Sequence, residues 1–332
     1  MIRRSILIAS TAVALTVAGC GGNDPSPTPT PSPTPTPTPS PSPISYSSLP
    51  LTAATEVFTV SAAMSYTGDV AGPVTLGTAG TDAFSNRVRL ALQSTVTSAM
   101  TTEEVVRENT EEARFTGADL LTAPATTVTE YVFRESTAPT TAGQFTQLEL
   151  LNNTVTASPT VVTADPLLGT LTRVSYGAWW RGESTAGVKK VTYGTFGYPT
   201  ASSDMPTTGT VNYTMRVAGR VVISPAAGAS SVEQLGGTIT TSINYATGLV
   251  SVTLTLTRAG GAAYGTYTGT GAIAAGNTQF TGSFGPGSTA GGTFQGLAYG
   301  SKGEEVGISF AITQDGAPSS SRAVGVLLAK KN

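Results

Sequence analysis

Few side chains in this sequence could do chemistry. Cys20 is the single cysteine among 332 residues, and the histidine count is zero. One thiol cannot close an intramolecular disulfide, and zinc-type Cys/His spacings are absent. Ser-His-Asp and Cys-His arrangements cannot be assembled from these residues. Glu304-Glu305 is a carboxylate pair in sequence. Neighbours on a strand point to opposite faces, so the facing carboxylates that glycoside cleavage needs are not predicted. Gly269-Thr270-Gly271-Ala272-Ile273-Ala274 fits G-x-G-x-x-A, but it sits in a run of strand period and opens no helix, so no dinucleotide site is expected. The phosphate-binding Gly-Lys-Ser/Thr triplet does not occur. A formal charge of −2 leaves no electrostatic footprint for nucleic acid. The expectation is a chain that is not an enzyme, takes no cofactor or metal and has no nucleic-acid partner.

Cys20 is explained by its surroundings. Arg3 and Arg4 precede a mostly apolar stretch from Ser5 to Ala18, too short to span a membrane as a helix and suited to a signal segment. It ends in Val17-Ala18-Gly19-Cys20, which resembles the bacterial lipobox. That resemblance implies diacylglycerol on the Cys20 sulfur, cleavage after Gly19 and acylation of the new amino terminus, hence anchoring to membrane lipid. Several acyl chains anchor stably where one alone is marginal. The alternative is an ordinary signal peptide with a chance cysteine; the spacing and flanks favour lipidation. Gly21 rather than Asp follows the cysteine, which by the sorting rule of enteric bacteria points to the outer membrane. Proline then fills every odd position from Pro25 to Pro43, with Ser or Thr between. Each proline fixes φ and removes a donor, so the run favours extended polyproline II. Its reach is at most roughly 60 Å, as a semi-rigid spacer. Residues 1–19 are thus read as a lipoprotein signal peptide, and 20–44 as the lipidated cysteine with a disordered, Pro/Thr/Ser-rich stalk.

The remainder reads as all-β. Val250, Val252, Leu254 and Leu256 share one face of a strand, and Ser251, Thr253, Thr255 and Thr257 the other. Ile239, Thr241, Ile243 and Tyr245 line one side of the preceding strand, and Phe280, Gly282 and Phe284 one side of a later one. Glycines beside inward aromatic rings, as in Tyr264 to Gly271, suit the crowded centre of a small closed barrel. A membrane-spanning barrel would put apolar side chains outward. Here the outer face is Thr and Ser, so a soluble barrel is expected.

Specific motifs extend this reading. Gly197-Tyr198-Pro199-Thr200 is followed by Asp204-Met205-Pro206-Thr207-Thr208-Gly209-Thr210-Val211-Asn212-Tyr213. Downstream come Phe280-Thr281-Gly282-Ser283-Phe284, Gly291-Gly292-Thr293-Phe294-Gln295-Gly296 and the run from Leu297 to Phe310. In this order they resemble the transferrin-binding protein B-like surface lipoproteins. The sequence departs at Ser301, where that family usually has Pro, and at Ile308, where it has the second Gly of a pair. Gly325 to Lys331 resembles the family's last strand, with its closing basic pair.

The resemblance implies an all-β chain: a sheet-rich, handle-like domain over 45–205, then a roughly eight-stranded antiparallel β-barrel over 206–332. It implies an outer-membrane lipoprotein facing the cell surface. Its role would be to capture a ligand without catalysis: an iron or haem carrier or another extracellular protein, with a TonB-dependent channel as partner. Room for only one handle–barrel lobe puts transferrin itself in doubt, and the zero histidine count removes the usual haem ligand. The alternative function is a structural or envelope-associated lipoprotein without a nutrient ligand. Exposed aromatics clustered on barrel loops favour capture; a uniform Thr/Ser/Gly surface favours the passive role.

Two features are read on their own residues. Trp179 and Trp180 are neighbours on one long strand, so at most one is core and the other faces outward or a domain junction; interdomain packing is preferred over an exposed hot spot. Glu103 with Arg107, and Glu111 with Arg114, have helical spacing, and a short solvated helix or loop is expected there.

Overall fold

The computed structural model describes residues 44–84, 88–155, 170–287 and 290–332. The expectations for the signal segment, Cys20 and the proline run lie outside the described residues.

The first part of the chain builds two antiparallel sheets. The smaller takes β1 (Thr55–Phe58), β4 (Arg89–Leu92), β5 (Glu104–Glu108) and β6 (Glu111–Phe115), in that order. The larger has seven strands: β3 (Thr75–Thr81), β2 (Val60–Thr67), β11 (Val188–Gly197), β10 (Val174–Glu183), β9 (Gln144–Leu151), β8 (Glu130–Ser136) and β7 (Leu120–Thr122). Eight further strands close an antiparallel barrel: β12 (Thr210–Pro225), β13 (Ser231–Asn244), β14 (Leu249–Arg258), β15 (Ala263–Ile273), β16 (Gln279–Gly287), β17 (Ala290–Tyr299), β18 (Glu305–Gln314) and β19 (Ser319–Lys331). The expected all-β class, with a sheet-rich region and an eight-stranded barrel, is what the chain forms.

Pleat parity decides which side chains meet. In β13 to β16 the expected faces are realised: Ile243, Val250, Val252, Leu254, Leu256, Phe280 and Phe284 are buried inside the barrel. A Cβ on Gly282 would overlap the Phe294 ring, and one on Gly296 the Phe280 ring. Inward glycine there is the condition for a large ring at the centre. In β15 a bulge opposite Leu256 and Thr257 shifts the phase. Tyr264 consequently turns partly inward, and its hydroxyl lies 2.7 Å from that of Ser321.

The larger sheet is the middle layer of three. Tyr131, Leu148, Leu150, Trp179 and Phe196 face the smaller sheet, where Leu90, Val106 and Phe115 complete one core. Tyr66, Tyr176, Ala178 and Tyr193 face the barrel, packing on Val222, Leu297, Tyr299, Val324 and Leu328. A sheet covered on both faces must be apolar on both, and β10 and β11 are buried along most of their length.

One expectation is corrected. The stretch from Glu103 to Arg114 is a β-hairpin, with Glu108 paired to Glu111 across Asn109-Thr110. Asn109 takes a positive φ of 54°, which asparagine tolerates and a tight hairpin turn requires. The ion pairs consequently join Glu103 to Arg114 and Glu112 to Arg107, not the partners that helical spacing gives.

Candidate functional site

The motif residues assemble into a latch between the two parts of the molecule. Asp204 precedes the barrel, and its Oδ2 accepts from the Tyr46 hydroxyl at 2.9 Å, the Lys302 amide at 3.0 Å and the Ser301 hydroxyl at 3.2 Å. Together these donors outweigh burial and hold its carboxyl below the usual range. Next to it, Met205 closes one end of the barrel core. Thr200 bonds the Ala298 and Gly300 carbonyls, tying the same linker to the end of β17.

Glu304 and Glu305 do point apart. Glu305 is fully buried and accepts the backbone N–H groups of Thr172, Arg173 and Val174 at 2.8, 2.8 and 3.0 Å. Burial nevertheless pushes its carboxyl up. Glu304 turns to the Arg173 guanidinium at 2.7 Å. The pair joins barrel to handle, and its geometry is that of a structural joint. Gly269 to Ile273 lies within β15, so the glycine pattern is part of the barrel wall.

Both tryptophans are packed. Trp179 is buried against the smaller sheet, donates to the Thr146 hydroxyl at 2.8 Å and is covered by the Arg181 guanidinium at 3.5 Å. Trp180 faces the barrel, meets Phe145 edge-on, and lies under the Arg220 guanidinium at 4.9 Å. Interdomain packing therefore accounts for the second ring.

Around Arg220 lies a cluster that spacing in the sequence does not announce. Arg220 on β12 makes a two-point ion pair with Glu149 on β9, at 2.7 and 2.9 Å, and also donates to the Tyr193 hydroxyl at 3.0 Å. Burial alone would lower its affinity for the proton, but the Glu149 carboxylate more than reverses this, so the guanidinium stays charged. Arg216, on the same strand, pairs with Glu130 at 3.1 Å and reaches the Tyr176 hydroxyl at 3.2 Å. Beside these residues a cleft of about 360 Å³ opens between the larger sheet and β12, β13 and β14. The available signal was composition: with only 11% charged residues, single charges inside apolar strands are conspicuous.

The outer face of the smaller sheet carries one aromatic ring among charged side chains. Phe58, Arg89, Arg107 and Glu112 stand side by side across β1, β4, β5 and β6. Glu56, Glu103 and Arg114 flank them, joined by Arg89–Glu56 at 3.9 Å and Arg114–Glu103 at 2.5 Å. Phe58 is 55% exposed, the one exposed aromatic ring among the described residues. Barrel loops are different: Ala226-Ala227-Gly228-Ala229, Ala259-Gly260-Gly261-Ala262 and Asp315-Gly316-Ala317-Pro318 are exposed and small. Among the described residues those loops present no aromatic side chain.

No protein-family profile and no curated protein matches the chain. Solved structures similar to it include transferrin-binding protein B structures. A point variant of this vaccine antigen from Haemophilus parasuis Hp5 is 11% identical, with a TM-score of 0.38, over 85% of this chain and 77% of that one. Intact Ap-TbpB, with N and C lobes, is 9% identical at a TM-score of 0.37, over 85% and 78%. The isotype 1 protein of serogroup B Neisseria meningitidis is 14% identical at 0.37, over 82% of this chain but 43% of that one.

Proposed function

We propose that this chain is a lipid-anchored surface protein that captures an extracellular macromolecule without catalysis, with the outer face of the smaller sheet as its binding face. The carrying observation is the exposed Phe58 in register with Arg89 and Arg107. Aromatic rings and guanidinium groups dominate binding energy at protein interfaces. Here they are gathered on one face of the smaller sheet, across β1, β4 and β5. The motif resemblance supports an iron or haem carrier as the ligand class, acylation of Cys20 as the anchor and a TonB-dependent channel as partner. The proline run would hold the head away from the membrane. The latch and buried ion pairs support a rigid platform, which suits capture because little ordering entropy is lost on binding.

The envelope-structural reading keeps one observation in its favour, the small Ala/Gly/Pro loops of the barrel. The two readings separate in one experiment on intact cells. A panel of purified iron- and haem-carrying proteins is offered to cells bearing the wild type, Cys20→Ala, or the Phe58→Ala/Arg107→Glu double variant. Capture expects binding that falls at least about tenfold in the double variant, a loss of about 1.4 kcal/mol. It also expects Cys20→Ala to leave the membrane fraction. No binding by any carrier, together with protection of the head from added protease, puts the structural reading ahead.

A further inference from the structure

We infer that the outer face of the smaller sheet recognises an extended protein segment carrying an apolar, an acidic and a basic side chain at every second position. The inference rests on the reading of this face as the capture face, and it names the chemistry of the partner. Three observations carry it.

The first is a like-charge pair. Arg89 and Arg107 stand directly opposite each other on β4 and β5, with side chains 47% and 31% exposed. Like charges placed that way are destabilising. A carboxylate set between two guanidinium groups relieves the repulsion and accepts charge-assisted hydrogen bonds from both. The acids of the chain itself stand to either side of that place, Glu112 on β6 and Glu56 on β1. Glu56 is 3.9 Å from Arg89, longer than a hydrogen bond. Glu112 accepts from Nε of Arg107, and one carboxylate engages at most two of the five guanidinium donors. These ion pairs therefore leave donors on both arginines.

The second observation is order across the sheet. Phe58, Arg89, Arg107 and Glu112 form one row. Strands lie about 4.8 Å apart, so Phe58 and Glu112 each stand roughly 7 Å from the midpoint of the arginine pair. An extended segment repeats its facing side chains every roughly 6.6 Å. Laid across the strands, it brings an apolar residue to Phe58, a carboxylate to the arginines and a basic residue to Glu112. These are its positions i, i+2 and i+4. In the next row the small residues Ala91 and Val105 leave a step beside the guanidinium groups.

The third is balance. Among the described residues Arg89, Arg107 and Arg114 share this face with Glu56, Glu103 and Glu112, three of each sign. A polymer with a negative charge on every unit, such as nucleic acid or a sulfated glycan, meets three carboxylates here. A single carboxylate between an apolar and a basic residue avoids them.

Two peptides that differ only at the centre supply the test. The purified full chain is immobilised and offered streptavidin loaded with biotinylated Leu-Ser-Glu-Ser-Lys or Leu-Ser-Lys-Ser-Lys. Several copies on one streptavidin raise a weak contact into the measurable range. The expected result is at least about tenfold tighter binding of the glutamate peptide, lost in Arg89→Gln and reversed in Arg89→Glu/Arg107→Glu. Phe58→Ala should weaken it about threefold. The melting temperature of each variant is recorded, and Arg89→Gln carries the test if the double variant unfolds. The inference is overturned by binding of neither peptide, by equal binding of both, by binding that survives Arg89→Gln, or by preference for heparin. The peptides involve neither a carrier nor the anchor, so the two readings fail separately. Carrier capture without a peptide preference removes this inference and leaves capture standing. A peptide preference without carrier capture removes the carriers as ligands and leaves the recognition chemistry standing.

Discussion

Arg220 of the barrel and Glu149 of the handle face each other at 2.7 and 2.9 Å, each almost wholly buried. Desolvating two charges costs several kcal/mol per ion, offset only by good geometry and further hydrogen bonds. Here the two-point pairing, the Tyr193 hydroxyl and the Trp180 face provide them. Either single substitution strands the other charge. Glu149→Gln and Arg220→Met are each expected to cost about 3–5 kcal/mol in urea unfolding. The double variant Glu149→Met/Arg220→Met should recover most of that loss. If the single losses simply add in the double variant, the two residues are not coupled as described.

Glu104 gives a pH dependence of known sign. It is fully buried on β5, and both its oxygens accept from the Gln93 amide, at 3.2 Å each. Tyr131 packs nearby, and no cation pairs with Glu104 there. Burial pushes the carboxyl from 4.5 up to about 8. An acid whose pKa is raised on folding favours the folded state when protonated. Stability on this account is therefore fullest below about 4.5 and declines as pH rises, levelling off above about 8. The loss across this window is of the order of a few kcal/mol. Glu104→Gln should flatten the slope relative to wild type and be the more stable protein at pH 8, measured by urea unfolding at pH 5, 6.5 and 8. Parallel slopes in the two proteins would remove Glu104 as the cause.

The barrel centre makes a steric prediction. Gly282→Ala puts a methyl group into the Phe294 ring, and Gly296→Ala puts one into Phe280. Overpacking of this kind costs about 1–3 kcal/mol. Phe294→Leu added to Gly282→Ala should restore part of the loss, whereas Phe294→Leu added to Gly296→Ala should not. Equal rescue of both by Phe294→Leu would mean that the rings are not placed as described.

How much of this was readable beforehand depends on how many faces of a strand see solvent. In β13 to β16 one face is solvated, so alternation is clean and the inward residues could be named. In β18 the inward Val306, Ile308, Phe310 and Ile312 alternate with Ser309 and Ala311, which are buried under the larger sheet. Both faces are covered, and period-2 contrast is lost. The hairpin at Asn109 was missed because Glu103 and Arg107, four apart, share a face on a strand as well as on a helix. The asparagine turn was the discriminating signal. Arg220 and Glu149 are 71 residues apart. No local pattern encodes a pairing at that separation, so the cleft they border was invisible, whereas the Asp204-Met205 latch was visible as a motif without its purpose.

That purpose can be tested at Asp204. Its Oδ2 gathers Tyr46, Ser301 and Lys302, so one carboxylate oxygen ties the entering chain, the linker and the turn after β17 together. Arg173 reinforces the joint by donating to the Tyr46 and Ser47 carbonyls at 3.1 and 2.8 Å. A pull applied to the chain at residue 44 arrives at this joint before it reaches β1. Asp204→Ala removes three acceptor contacts at once, and hydrogen bonds to a charged group contribute about 1.5–3 kcal/mol. The expected effect is local. Amide exchange at Lys302, whose N–H is the bonded donor, should accelerate, while amides in β14 and β15 keep their protection. The pH dependence runs opposite to that of Glu104. A carboxyl held below its usual value stabilises the fold above pH 3.8, and that contribution is lost as pH falls through the lowered folded value. Asp204→Asn should remove this acid-side loss and leave the slope between pH 5 and 8 untouched. Global rather than local acceleration of exchange in Asp204→Ala would show that the latch holds the whole fold and not one joint.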